Sequence, residues 1–138
     1  MVMYMTEIAK IEGIGPAYKE KLVAAGIKTV ESLLEAGAEA KGRQELAEKT
    51  GITVKLILEW VNLADLMRIK GIGEEYSDLL EEAGVDTVVE LSNRNAENLY
   101  AKICEVNTEK KLVRVTPSLK QVEDWVHQAK SLPRKVNY

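Results

Sequence analysis

The feature of this sequence that most restricts its fold is an internal repeat. Residues 11–34 align with residues 69–92 at an offset of 58, and 11 of the 24 aligned positions hold the same amino acid. The match is strongest at two glycine turns, residues 11–15 (Ile-Glu-Gly-Ile-Gly) and 69–73 (Ile-Lys-Gly-Ile-Gly). Further along the chain the offset becomes 65, and Trp60 aligns with Trp125 within similar helical patterns. We therefore divide the chain into two units, residues 1–68 and 69–138, with the extra residues of the second unit between 107 and 117.

Start and stop signals predict short helices in each unit. Pro16 suits the first position of a helix, and Gly26 suits the left-handed residue after its end. Thr29 and Thr87 suit N-caps, and Thr87 with Glu90 fits a capping box. The pattern predicts helices over residues 16–25, 41–50 and 53–69, and over residues 74–83, 95–106 and 118–132. Residues 110–116 are compatible with a short strand, a helical turn or a loop.

Composition favours an all-α fold. Phe is absent and only seven residues are aromatic, so the core must consist mainly of Leu, Ile, Val and Ala. Trp60 and Trp125 lie on apolar helix faces and are expected in that core, while Tyr18 and Tyr76 are expected to pack rather than to stack on bases. Because the helix over 53–69 leads directly into the second glycine turn, we expect the two units to share it and to pack together as one body.

Several kinds of chemistry are excluded by what the sequence lacks. One cysteine and one histidine cannot form an internal disulfide or a Cys/His zinc site. We expect Cys104 to be a small buried residue and His127 to be partly exposed. No nucleotide-binding loop, hydrolase motif or metal-binding loop is present, so we predict no enzyme activity, cofactor or metal.

The sequence shows no membrane segment. No apolar run approaches the roughly 20 residues that cross a bilayer, and the first seven residues lack the blocks of a secretion signal. We therefore expect a cytoplasmic protein with no membrane partner.

Charge is balanced overall but unevenly placed. The net charge is −3, which argues against coating nucleic acid by bulk charge. Residues 1–70 hold ten basic and ten acidic residues, residues 71–101 hold one and eight, and residues 102–138 hold eight and four. Any binding of nucleic acid would therefore be local.

The first glycine turn has the chemistry of an anion site. A turn that precedes a helix presents backbone N–H groups beside the positive end of the helix dipole, and glycine lets a phosphate oxygen approach closely. Such contacts recognise the backbone phosphates and do not depend on the base sequence. The candidate nucleic-acid-binding residues are those of the turn and the lysines around it: Gly13, Ile14, Gly15, Lys10, Lys19 and Lys21.

The second glycine turn is expected to contribute less. Lys70, Gly71 and Gly73 repeat the pattern, but Glu74 and Glu75 occupy the start of the following helix. Acidic side chains there already interact favourably with the helix dipole, and at this range salt does not screen them from a phosphate. We therefore expect a poor phosphate site at this turn.

The arrangement of helix, Gly-Ile-Gly turn, helix and Ala-Gly resembles the helix-hairpin-helix motif of DNA-repair, recombination and replication proteins. The resemblance covers about 20 residues, twice. The whole chain is similar to an uncharacterised tandem helix-hairpin-helix family, a domain of unknown function, whose members share the Glu-Gly-Ile-Gly-Pro-Ala-Tyr opening and the Leu-Glu-Trp-Val helix. This resemblance implies a fold and a hairpin that contacts the nucleic-acid backbone, and it implies no activity.

Two functions are compatible with these observations. The first is weak, sequence-independent binding of nucleic acid, expected to be DNA, through the first helix-hairpin-helix. The alternative is a protein-interaction or homo-oligomerisation module in which the hairpins are purely structural.

Overall fold

Helices provide nearly all the regular structure in the part of the chain that this computed structural model describes, residues 6–138. Eight α-helices and one 3-10 helix are present there; no strand occurs among these residues, where Glu7 and Thr29 form an isolated β-bridge. The predicted all-α fold is confirmed. The predicted absence of a secretion signal rests partly on residues 1–5, which lie outside the described residues.

The helices follow the chain in two similar series. The elements are a 3-10 turn (Ile8–Lys10), α1 (Pro16–Ala24), α2 (Val30–Ala36), α3 (Ala40–Thr50), α4 (Val54–Leu66), α5 (Glu74–Glu82), α6 (Val88–Ser92), α7 (Ala96–Lys110) and α8 (Leu119–Ser131). The structure divides into two compact units. Unit 1 takes the described part of Met1–Asp65 together with Lys135–Tyr138, and unit 2 takes Leu66–Arg134.

The core of unit 1 lies beneath the first glycine turn. Ile11 and Ile14 of that turn are buried, as are Leu22 of α1 and Trp60 of α4. The C-terminal segment Lys135–Tyr138 belongs to the same unit and buries Val136. Aliphatic residues dominate this core, as the composition predicts.

Unit 2 has its own core, in which Trp125 of α8 is surrounded by aliphatic residues from α5, α6 and α7. The extra residues of this unit form an irregular loop, 111–118, between α7 and α8. Asn107 holds the loop, because its side chain donates to the Val113 carbonyl at 3.0 Å and accepts from the Val113 N–H at 2.9 Å. Of the three structures compatible with residues 110–116, the loop is the one that forms after Lys110.

Most of the predicted helix boundaries are confirmed. Pro16 begins α1, and Gly26 and Gly51 follow helix ends with φ of +90° and +75°. Thr29 and Thr87 are N-caps whose side chains accept backbone N–H groups. Ser118 and Gln121 form a capping box at the start of α8.

Other local predictions were wrong. Glu90 does not complete a capping box on Thr87, because its carboxylate accepts the N–H of Asp86 at 2.9 Å instead. Helix α4 ends at Leu66, three residues before the predicted end, and α7 extends to Lys110, four residues beyond it. Lys111 stops α7 in the left-handed conformation, with φ of +50°.

Candidate nucleic-acid interface

The first glycine turn is a tight bend held from below by two buried isoleucines. The N–H of Ile14 donates to the carbonyl of Ile11 at 3.2 Å, which closes a four-residue turn. Gly13 is the third residue of this turn and has φ of +93°, a conformation that favours glycine. Gly13 and Gly15 are exposed, so the turn presents its glycines to solvent.

A tryptophan supports this turn from within. A Cβ atom added to Gly13 would lie 3.3 Å from Nε1 of Trp60, which is tighter than ordinary van der Waals contact. Tyr18 of α1 meets the same indole edge to face, with ring centroids 5.1 Å apart and an interplanar angle of 64°. Gly13 is therefore required by its backbone conformation and by the indole behind it.

Backbone donors are available where the turn meets α1. Gly15 is the N-cap and has no side chain to accept the first N–H groups of the helix, and Pro16 has no N–H. Within residues 6–138, no hydrogen bond uses the N–H of Gly13, Gly15 or Ala17. The Ile14 N–H is engaged inside the turn, so the glycines and the first turn of α1 supply the free donors.

The three lysines predicted for this site are exposed and near it in sequence. Lys10 ends the 3-10 helix before the turn, and Lys19 and Lys21 lie on α1. None of them forms an ion pair with another described residue. Residues two apart on a helix point to different sides, so Lys19 and Lys21 cannot both face the same phosphate.

The second glycine turn repeats the backbone of the first. The N–H of Ile72 donates to the Ile69 carbonyl at 3.1 Å, and Gly71 has φ of +100°. A Cβ at Gly71 would lie 3.0 Å from Nε1 of Trp125, whose ring centroid is 5.3 Å from that of Tyr76. The Gly, Tyr and Trp of the sequence repeat thus form the same three-residue contact in both units.

The surroundings of the second turn are different. Gln128 binds the backbone of Lys70 on both sides, accepting its N–H at 2.9 Å and donating to its carbonyl at 3.0 Å. Leu63 occupies the matching position of unit 1 and cannot make these bonds. Glu74 and Glu75 lie in the first turn of α5, and the guanidinium of Arg68 donates to the Pro133 carbonyl at 2.9 Å. The N–H groups of Gly71 and Gly73 have no acceptor among residues 6–138, as at the first turn, but Gln128 binds the adjacent Lys70 and two carboxylates stand at the start of α5.

The remaining residues singled out from the sequence are the two tryptophans, which lie behind the turns, one histidine and one cysteine. Trp60 and Trp125 are buried and His127 is exposed. Cys104 is only partly buried, so the prediction of a buried cysteine was wrong, and its thiol raises the pKa of Tyr100 through a hydrogen bond. Among residues 6–138, no three His, Cys, Asp or Glu side chains come together as a metal site, and no helix there is long and apolar enough to cross a membrane.

The sequence did not reveal what lies behind the glycines. The contact between the Gly13 turn and the Trp60 indole joins residues 47 positions apart. The available signal was the repeat itself, since Gly, Tyr and Trp recur together in both units. No such signal indicated the two hydrogen bonds between Gln128 and the Lys70 backbone, because unit 1 has Leu63 at the position that matches Gln128.

These features define a small all-helical protein with two similar glycine turns, each supported by a Trp–Tyr pair. A family model described as a domain of unknown function, DUF4332, matches residues 12–132. The chain belongs to this family. No solved structure matches the chain.

Proposed function

We propose that the protein binds nucleic acid through backbone phosphates at the first glycine turn, weakly and without sequence preference. In this proposal the turn and its flanking helices act as a helix-hairpin-helix motif. The observation that supports it is the exposed pair Gly13 and Gly15, whose N–H groups have no acceptor within residues 6–138. The module has no catalytic role in this proposal, and it acts on nucleic acid in the cytoplasm.

The physical basis is a convergence of donors and positive charge. The N–H groups of the turn and the positive end of the α1 dipole favour an anion at the same place. Lys10 and Lys19 lie within five residues of Gly15 and add positive charge near the turn, although Glu12 and Glu20 offset part of it. A few contacts of this kind give modest affinity, and they carry no information about the base sequence.

The second turn contributes less to the proposed binding. Glu74 and Glu75 stand where a phosphate would approach α5, so their carboxylates repel it. Lys70 is exposed and supplies a single positive charge beside Gly71 and Gly73. DNA is the expected nucleic acid because the helix-hairpin-helix motifs that this chain resembles occur in proteins that bind DNA.

The alternative function is a protein-interaction or homo-oligomerisation module. It is favoured by apolar side chains left at the surface of α1, where Tyr18 and Val23 are each 36% exposed. In that case the glycine turns serve only to connect helices, and the lysines are solvated surface residues.

Fluorescence anisotropy with a labelled DNA duplex, measured over a salt series, tests the proposal. Phosphate binding predicts an affinity that falls steeply as salt rises. Lys19→Glu and Gly15→Glu should weaken binding, and Glu75→Lys should strengthen it. Lys41→Glu is the matched control, since Lys41 is an exposed lysine in the first turn of α3 and the charge change is the same.

Other outcomes of these measurements would contradict the proposal. Binding that is undetectable at 50 mM salt, or equal losses in Lys19→Glu and Lys41→Glu, would contradict the role of the first turn. A stable dimer in sedimentation, together with absent duplex binding, would favour the interaction module.

A further inference from the structure

The indole N–H of Trp60 is a hydrogen-bond donor that the described chain does not use. Trp60 is 1% exposed, so its side chain is almost completely buried. A buried indole N–H ordinarily has an acceptor, because an unpaired donor in an apolar core costs free energy. Within residues 6–138, no atom accepts a hydrogen bond from Nε1 of Trp60. The ring is therefore held in the core with its one polar group unsatisfied.

This unused N–H is open to solvent at one point. Among residues 6–138, every side-chain nitrogen or oxygen that is sealed from solvent has a hydrogen-bond partner. Nε1 of Trp60 has no partner there, so it must belong to the small part of the ring that solvent reaches. A ligand atom that approaches the same point can therefore meet the donor.

The N–H bond points toward the first glycine turn. A Cβ atom added to Gly13 would lie 3.3 Å from Nε1 of Trp60, and every other indole atom would lie more than 4 Å from it. The two ring carbons bonded to Nε1 are thus farther from that position than the nitrogen is, which places the position in front of the N–H bond. The indole hydrogen faces the side of Gly13 where another amino acid would carry its side chain.

Unit 2 repeats this arrangement with a closer approach. A Cβ atom at Gly71 would lie 3.0 Å from Nε1 of Trp125, and 3.9 and 4.0 Å from Cδ1 and Cε2, the two carbons bonded to that nitrogen. Because these two distances are nearly equal, the N–H bond of Trp125 points at that position. Trp125 is 2% exposed, and its N–H has no acceptor among the described residues either. Both units therefore place an unused indole donor behind a turn glycine.

The absence of a side chain at Gly13 keeps the indole donor accessible. A Cβ atom there would cover Nε1, whereas the exposed glycine leaves that side open. The same turn contains the unused backbone N–H groups of Gly13 and Gly15. Backbone and indole N–H groups donate hydrogen bonds and cannot accept them. A ligand at this turn must therefore supply several acceptors, as a phosphate group does.

We propose that the indole N–H of Trp60 donates a hydrogen bond to the nucleic-acid phosphate at the first glycine turn. This inference rests on the proposed function, because it assigns one more donor to the same site. The non-bridging oxygens of a phosphodiester all accept hydrogen bonds, so one can take the backbone N–H groups while another takes the indole. Trp125 contributes less, since Glu74 and Glu75 repel phosphate from the second turn.

A neutral donor affects affinity and salt dependence differently from a lysine. Lys and Arg side chains displace counterions from phosphates, whereas an indole carries no charge. Trp60→Phe removes the N–H but keeps an aromatic ring in the core, so duplex affinity should fall about tenfold while the salt slope is unchanged. Lys19→Glu should lower both the affinity and the slope. Trp125→Phe is the matched control in unit 2 and should lose less affinity than Trp60→Phe.

NMR of the indole N–H groups tests the contact directly in the unmodified full chain, which has two tryptophans. A hydrogen bond to a phosphate oxygen moves the signal of an N–H proton downfield. We expect a DNA duplex, and separately inorganic phosphate at constant ionic strength, to move the Trp60 indole signal downfield and the Trp125 signal much less. Sodium chloride is the control titration, and the two Phe variants assign the two signals.

The results distinguish a phosphate donor from a purely structural tryptophan. A bound duplex that leaves the Trp60 signal in place, or that moves both indole signals equally, would overturn the inference. So would unchanged duplex affinity or a lower salt slope in Trp60→Phe, whose folding circular dichroism checks. A duplex that does not bind contradicts the proposed function itself. Inorganic phosphate then decides the inference: a Trp60 shift that chloride does not cause supports it, and no shift overturns it.

Discussion

Gly15→Asp should separate the stability of the first glycine turn from its proposed binding of phosphate. Gly15 is the N-cap of α1, with φ of −84° and ψ of −178°, an extended conformation that any residue adopts. A Cβ atom at this position meets nothing within 4 Å. An aspartate therefore fits without strain, and its carboxylate can accept the free N–H groups at the start of α1.

The expected effects on folding and binding have opposite signs. An aspartate N-cap is a few tenths of a kcal/mol better than glycine, and its charge interacts with the helix dipole by about 0.3–1 kcal/mol, so the free energy of unfolding should rise by about 0.5–1 kcal/mol. The same carboxylate takes the donors proposed for phosphate. Losing one charge-assisted contact of about 1.5–3 kcal/mol weakens duplex binding roughly tenfold to a hundredfold. The salt slope should fall by about 0.9 for each phosphate lost.

Gly73→Asp is the matched control in unit 2. Gly73 is also an N-cap with an extended conformation, and a Cβ there meets nothing within 4 Å. It adds the same charge, with a smaller gain in stability because Glu74 and Glu75 already occupy the helix start. Urea denaturation measures stability and duplex anisotropy measures binding. The reasoning is refuted if Gly15→Asp is more stable yet binds as the wild type does, or if both variants lose affinity equally.

Three further predictions concern stability and use urea denaturation. Gly13→Ala should lower the free energy of unfolding by about 1–2 kcal/mol, since φ is +93° and the new methyl meets Trp60 Nε1; a neutral result would contradict the conformation of the turn. Arg43→Met should cost about 2–4 kcal/mol, because it leaves buried carbonyls without their charged donor, and a loss below 1 kcal/mol would show that water replaces it. Burial and then the neighbouring Glu90 raise the pKa of Asp86, so the folded state holds its proton more tightly and wild-type stability falls as pH rises through the range above the ordinary value. Asp86→Asn should therefore raise the free energy of unfolding at pH 7 and leave it unchanged at pH 3, and a gain that persists at pH 3 would contradict this cause.

The helix boundaries that local chemistry controls were predictable. Pro16 fixes the start of α1 because its ring suits the first helical position, and Gly26 ends that helix because glycine adopts positive φ at little cost. Thr29 caps α2 because its hydroxyl can accept an N–H three residues on. Each of these signals acts within about four residues, so the sequence alone contains it.

Boundaries that depend on competing partners were not predictable. Lys111 ends α7 in a left-handed conformation that lysine rarely adopts, in a loop that Asn107 ties to Val113. Glu90 had two N–H groups within reach and took that of Asp86 rather than the one expected of a capping box. Such choices are decided by tertiary contacts and by small differences in geometry, which no local pattern records.

The residues of the candidate site could be predicted from the sequence, but the distant residues that contact each turn could not. The sequence indicated both glycine turns and the acids beside the second one, because these lie within a few positions of each other. What lies opposite each turn depends on distant residues: Gln128 reaches the Lys70 N–H from α8, while Leu63 stands at the matching position of unit 1 and makes no such bond. The repeat fixes the backbone of the turn, and the opposing helix fixes which neighbouring backbone groups are bound.

The two units share the backbone of their glycine turns and differ in the residues around them. In unit 1 the glycine turn has free donors, while the groove at the α2–α3 corner is filled by Lys135–Tyr138. In unit 2 the glycine N–H groups also have no acceptor among residues 6–138, but Gln128 binds the adjacent Lys70 and two glutamates begin α5. Single residues account for each difference, while the buried Trp and the Tyr ring packed against it recur at both turns. If the first turn is the phosphate site, Gly15→Asp should weaken duplex binding roughly tenfold to a hundredfold, while Gly73→Asp, in the same backbone conformation, weakens it less because two glutamates already repel phosphate there.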